Sequence, residues 1–251
     1  MSALGSTAAD TTVDTAGDTA GDTASLDRAD ALAATLEHRF SCRGFLPEPV
    51  RPDTLRRLFT LAQRTPSWCN SQAWQVHLLS GEDVVALSER LTERVLSGAE
   101  QPDIPGPERY EGVYAERRRT CGRGLYDAVG VAREDSEGRL RQMLENFQFF
   151  GAPHVAIVTS PQALGTYGVM DCGGYVANLL NLADALGLGA IAQGAIGMYA
   201  DAVRAHLDLP EDRWVVCAVA LGHADPDHPA NRFRTEREDV DVAVTGLPDP
   251  T

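Results

Sequence analysis

Only three stretches of this chain read as strands, and long helical intervals separate them. Residues 74–79, 154–159 and 214–221 are short runs dominated by apolar and β-branched residues, the pattern of strands that belong in a sheet. Between them, apolar residues recur at helical spacing. Helices are expected over residues 29–38, over 53–62 with Asp53 as the N-cap behind Pro52, and over 82–96. Others are expected over 114–119, 140–147 and 171–186, whereas 98–112 reads as a loop and 222–251 as a polar surface segment. So few strands, interrupted by helices of unequal length, do not make a regular βαβ repeat. The expected class is α+β, with helices packed on a small sheet in one domain.

Composition narrows the function. A hydrophobic fraction of 43% is enough to close a core without disulfides, and the formal net charge of −14 argues against nucleic-acid or anionic-membrane partners. No lysine occurs anywhere, which excludes a P-loop with its phosphate-binding lysine and any lysine Schiff base. The five cysteines, Cys42, Cys69, Cys121, Cys172 and Cys217, are scattered without a C-x-x-C pair, as free thiols in a reducing compartment are. No apolar run is long enough to span a bilayer, and the N-terminus lacks the features of a signal peptide. The expected location is cytoplasmic. Residues 1–26 are low-complexity, with Thr15-Ala-Gly-Asp18 repeated at once as Thr19-Ala-Gly-Asp22. A disordered acidic tail is expected there, and a single folded domain over 27–251.

Two polar elements carry candidate chemistry. In Arg39-Phe-Ser-Cys-Arg43, an extended backbone would point Arg39, Ser41 and Arg43 the same way, as suits a phosphate held by guanidinium forks. The same residues would also serve as a solvated helix terminus. In Pro66-Ser-Trp-Cys-Asn-Ser-Gln-Ala-Trp74, Asn70 and Gln72 offer the donors and acceptors that read a heteroaromatic edge, although a plain turn has the same composition.

In this order and spacing the two elements resemble the N-terminal half of the nitroreductase family. Gly151-Ala-Pro153 before a buried strand is also similar to that family, as is a long helix ending in Ala185-Leu-Gly-Leu-Gly189 and followed by Ala192-Gln-Gly194. Asn231-Arg-Phe-Arg-Thr-Glu-Arg237 completes the series, which spans roughly residues 31–245. Gly187 and Gly189 follow a helix and do not open one, so they read as a C-cap and not as a Rossmann phosphate loop.

The resemblance implies a three-layer fold with a small mixed or antiparallel central sheet flanked by helices. It also implies a homodimer with FMN at the subunit interface. Arg39, Ser41 and Arg43 would hold the phosphate, ribityl chain and pyrimidine edge, and Arg234 or Arg237 would add to the phosphate. Pro66, Ser67 and Asn70 would approach from the partner. Main-chain groups of Gln193 and Gly194 would lie near flavin N5 and O4, and a cation near the pyrimidine would favour the anionic reduced ring. Trp68 and Cys69 would line the acceptor pocket, Trp68 being bulkier than the family's usual residue there.

The implied activity is an FMN-dependent NAD(P)H oxidoreductase that reduces nitroaromatic or quinone-like acceptors by ping-pong hydride transfer. Two alternatives share the fold: a flavin-dependent oxidase or dehydrogenase of a biosynthetic pathway, and a non-catalytic flavin-binding protein. Elsewhere, His223-Ala-Asp-Pro-Asp-His228 reads as a surface turn before it reads as a metal site. The arginines at 117–119 read as a solvated helix face paired with Glu111 and Glu116.

Overall fold

The computed structural model describes residues 16–248, with side chains described from Ser25 onward. Residues up to His38 and residues from Arg39 form two separate compact units. In the first, helix α1 spans Ala16–His38, longer than the expected 29–38. The expected tail lies outside the described residues up to residue 15, and α1 takes in the rest of it. Leu32 and Leu36, one turn apart, are both more than half exposed.

The second unit is built on a four-stranded sheet of order β1-β2-β4-β3: β1 Gln75–Ser80, β2 His154–Pro161, β3 Gly189–Gln193 and β4 Arg213–Gly222. Every neighbouring pair is antiparallel. Seven of the eight residues of β2 are buried, because this strand has partners on both edges and helices on both faces.

Side-chain alternation sorts the sheet into two packed layers. Val155 and Ile157 of β2 and Ala218 and Ala220 of β4 face α3 (Glu82–Ser97) and α8 (Ala200–Leu207). Ala156, Val158, Val219 and Leu221 face α2 (Pro52–Ala62) and α6 (Gly165–Ala185). The arrangement is the expected α+β three-layer fold. Between the pairs Val158–Cys217 and Thr159–Val215 the register slips by one, leaving Val216 as a bulge. The bulge lets Val215 face the same layer as Ala218 although they stand three positions apart.

The helices follow their apolar spacing. Leu55, Leu58 and Ala62 form the buried face of α2, and Val84, Leu87 and Leu91 that of α3. Pro52 is the first helical residue of α2, with Arg51 as the N-cap and Asp53 in the first turn. The expected Asp53 cap is therefore off by two positions, since proline's fixed φ suits the first turn and its missing N–H is not needed there. The arginine-rich helix α4 runs further than expected, Gly112–Ala128, and α5 is Ser136–Leu144. Two elements carry no strong signal of their own. They are β3, with one β-branched residue in five, and α8; both are fixed by packing on β4. Short helices α7 (Gly194–Gly197) and α9 (Val240–Ala243) complete the described residues.

At the end of α6, Gly187 has φ of 74°. Its N–H donates to the Asp184 carbonyl at 2.9 Å, and that of Leu188 to Ala183 at 2.8 Å, the pairing of a Schellman cap. Gly189 is not part of that cap: it opens β3, where a Cβ would fall 2.8 Å from the Cys42 sulfur.

Candidate functional site

That close approach seats the Arg39–Arg43 segment along the free edge of β3. Ser41 forms a parallel bridge with Ala190, and the Cys42 N–H donates to the Ala190 carbonyl at 3.1 Å. Cys42 is fully buried while Arg39, Ser41 and Arg43 are half-buried, the alternation expected of an extended strand. Asn231 clamps the far end. Its Oδ1 accepts from the Arg43 N–H at 2.7 Å, and its Nδ2 donates to the carbonyls of Gly44 and Asp225 at 2.8 and 2.9 Å.

The charges along this segment lack carboxylate partners. Arg39 makes no side-chain hydrogen bond or ion pair among the described residues. The Arg43 guanidinium donates, among the described residues, only to the Ser41 carbonyl, at 3.2 Å, and burial pulls it below the usual arginine value. Arg234 stacks over the Phe40 ring at 4.0 Å and donates to the Asn231 carbonyl at 2.7 Å. Arg237 instead turns onto its own loop, donating to Thr235 Oγ1 at 2.8 Å. Three arginines thus gather at one strand edge, and a desolvated guanidinium without a counter-charge favours an anion.

Arg43 opens into a cavity of about 310 Å³ together with Tyr126, Asn146, Ile191, Gln193 and Gly194. The Gln193 amide donates to the Asn146 carbonyl and Oδ1 at 2.6 and 2.9 Å, which turns its oxygen away. That oxygen is buried without a donor among the described residues. A Cβ on Gly194 would meet open space. A flavin pyrimidine edge, with acceptor carbonyls beside a ring N–H, matches an arginine donor next to an unsatisfied amide oxygen. These residues fit FMN.

The 66–72 loop lies elsewhere. It precedes β1, at the opposite edge of the sheet from β3. Cys69, Asn70 and Gln72 all have left-handed φ, 48°, 54° and 47°, a strained run that Asp171 of α6 braces. Asp171 accepts from the Trp68 N–H at 3.0 Å and from Ser71 Oγ at 3.1 Å, and Ser67 Oγ accepts from the Gln72 N–H at 2.9 Å. Pro66 and Asn70 line a groove with α2 that contains neither Arg43 nor Gln193. Trp68 is 61% exposed and packs on Tyr167 at 4.8 Å. Cys69 is exposed, whereas burial pushes the thiols of Cys42 and Cys172 up to about 11 and that of Cys217 to about 12.

Within one chain, then, Arg39, Ser41, Arg43, Gln193, Gly194 and Arg234 come together, and Pro66, Ser67, Trp68, Cys69 and Asn70 form a second group. Asn146 and Tyr126 were not anticipated. Nothing local marks them, because Asn146 matters only through Gln193 and Tyr126 only through the cavity wall. The 223–228 segment is a turn, its His228 N–H donating to the Asp225 carbonyl at 3.4 Å.

Residues 36–223 match the family model described as the nitroreductase family. The chain is 34% identical to a 4-nitrobenzoate reductase of Nocardioides sp. (strain LMS-CY), over 89% of this chain and 92% of that one. Its fold is similar to the FMN-dependent nitroreductase NfnB from Mycobacterium smegmatis in complex with NADPH, with a TM-score of 0.84 at 31% identity, covering 88% of this chain and 99% of that one. The FMN- and NADPH-dependent nitroreductase NfnB from Sphigopyxis sp. strain HMH gives a TM-score of 0.83 at 31% identity, covering 86% of this chain and 99% of that one.

Proposed function

The chain belongs to the nitroreductase family, and from that membership we propose that it is an FMN-dependent NAD(P)H oxidoreductase acting on nitroaromatic or quinone-like acceptors. The observation that carries this reading is the cavity where the uncompensated Arg43 meets the unsatisfied Gln193 oxygen. FMN, when bound, supplies hydride transfer between NAD(P)H and the acceptor in a ping-pong cycle.

The chain's own residues bind and orient. Arg39, Ser41 and Arg234 hold the phosphate and ribityl chain, and Arg234 serves better than Arg237, whose guanidinium is turned onto Thr235. Arg43 would donate to the pyrimidine carbonyls of FMN, and the unsatisfied Gln193 Oε1 would accept from its ring N–H. A fixed positive charge at that edge favours negative charge on the ring without titrating near neutral pH. The main chain of Gln193 and Gly194 would lie near flavin N5 and O4, and a Cβ on Gly194 would meet nothing within 4 Å. Protons for nitro reduction come from solvent.

Pro66, Ser67 and Asn70 reach the same flavin only from a second copy, because they sit at the opposite sheet edge. On this reading the protein is a homodimer, with Trp68 and Cys69 of the partner lining the acceptor pocket. The proposed flavin-binding domain is 27–251, and its site residues all lie in the unit that begins at Arg39. Among the described residues no helix is long and apolar enough to cross a membrane, and the free thiols suit a cytoplasmic location.

A visible spectrum of the purified protein, before and after anaerobic NADPH, tests the reading. The expected result is a flavin band that bleaches on addition. A colourless protein that takes up no FMN when it is supplied refutes the cofactor, and a band bleached only by an organic substrate assigns a dehydrogenase instead.

A further inference from the structure

Helices α4 and α5 bury almost none of their residues, yet they wall a cavity of about 680 Å³ lined with arginine. Arg119 and Arg123 stand one turn apart on α4, Arg133 follows in the connecting loop and Arg139 lies on α5. Asp127 is the one carboxylate in the wall. Arg119 pairs with Glu116 at 2.6 Å, and Arg139 donates to the Arg133 carbonyl at 3.1 Å. The guanidiniums of Arg123 and Arg133 have no hydrogen bond or ion pair among the described residues. Like charges one turn apart repel, so in a chain of net charge −14 this concentration of cations calls for an anionic ligand.

The position of the cavity says which anion. Tyr126 stands in its wall and also in the wall of the cavity that holds Arg43, Gln193 and Gly194. The two cavities are neighbours across one ring. On the reading that the second takes FMN, we infer that the four-arginine cavity receives the phosphorylated adenosine end of the electron donor and selects NADPH over NADH through its 2′-phosphate.

The chemistry fits. The nicotinamide must reach the flavin, so the adenosine end of the dinucleotide extends into adjoining space, where its 2′-phosphate meets these guanidiniums. A 2′-phosphate monoester adds up to about two negative charges, and arginine forks bind phosphate bidentately. Tyr126 offers the purine a ring to stack on. An aromatic acid acceptor brings a single carboxylate, which one arginine satisfies.

The test compares the full-length protein with the Arg123→Ala/Arg133→Ala double variant, two exposed side chains whose loss breaks no contact described above. Adenosine 2′,5′-bisphosphate is titrated by calorimetry with 5′-AMP as control, KM is measured for NADPH and NADH, and flavin per chain is read by absorbance. The parent is expected to bind the bisphosphate more tightly than 5′-AMP and to show the lower KM with NADPH. In the variant, the bisphosphate Kd and the NADPH KM should rise about tenfold or more, the loss expected for charge-assisted phosphate contacts. The NADH KM, kcat and flavin content should stay within about twofold, since none depends on a 2′-phosphate contact.

A parent that treats NADPH and NADH alike overturns the inference. So does a variant whose KM rises for a carboxylate-bearing nitroaromatic and not for NADPH, which would give the arginines to the acceptor. If the parent holds no flavin, the flavin reading fails by itself, and the bisphosphate titration still decides the arginine cavity.

Discussion

Arg39 and Arg43 differ in how the fold holds them, and the difference sets what each substitution should do. Arg39 has no side-chain hydrogen bond or ion pair among the described residues. Arg39→Ala should therefore weaken FMN binding by about 1.5–3 kcal/mol, the range for a charge-assisted contact, with the melting temperature of the flavin-free protein unchanged; flavin retained on dialysis measures it. Arg43 is desolvated without a counter-charge, and an apolar side chain in place of such a cation is often neutral or stabilising. Arg43→Met should lose flavin yet unfold at no lower urea concentration than the flavin-free parent protein. Asn231 is the opposite case. Asn231→Ala orphans the Arg43 N–H, while the Gly44 carbonyl keeps the Asp225 N–H, and should cost about 1–3 kcal/mol in urea unfolding. The arginine–serine–arginine alternation was legible because a period of two shows in the sequence. The Asn231 clamp was not, because its partner Arg43 lies 188 positions away.

Elements were legible in proportion to how much of their stability is local. The runs at 154–159 and 214–221 declared themselves by β-branched content, and both are strands. In β3, Gly-Ala-Ile-Ala-Gln is held by its five pairings with β4, and no propensity scale would single it out. The turn between α6 and β3 tests how much one cap matters to the site, since it delivers β3 and with it Gln193. Gly187 has φ of 74°, where a Cβ costs about 1–2 kcal/mol. Gly187→Ala should lower the melting temperature by several degrees, and flavin content should fall only as the protein begins to melt. A calorimetric scan read beside flavin fluorescence separates the two.

For the molecule as a whole, pH acts through histidine. Burial lowers the pKa of His77, His154 and His206 below the ordinary 6.5, and His154 Nε2 accepts the Val50 N–H at 2.9 Å. The unfolded chain thus binds protons that the folded one refuses. The stability present above pH 6.5 is lost as pH falls from there through the lowered values. The urea midpoint should be lower at about pH 5.5 than at about pH 7.5, a span above the carboxylate range. The proposed dimer is checked by light scattering in solution, where a monomer that still holds FMN would refute the shared site. The sheet order carries one more consequence. Its last strand in sequence, β4, lies between β2 and β3, and the Ser80–His154 pair that joins β1 to β2 spans 74 positions. A chain emerging from the ribosome therefore carries β2 and β3 with exposed edges until β4 has been made, so during synthesis the protein depends on chaperones or speed to avoid aggregation.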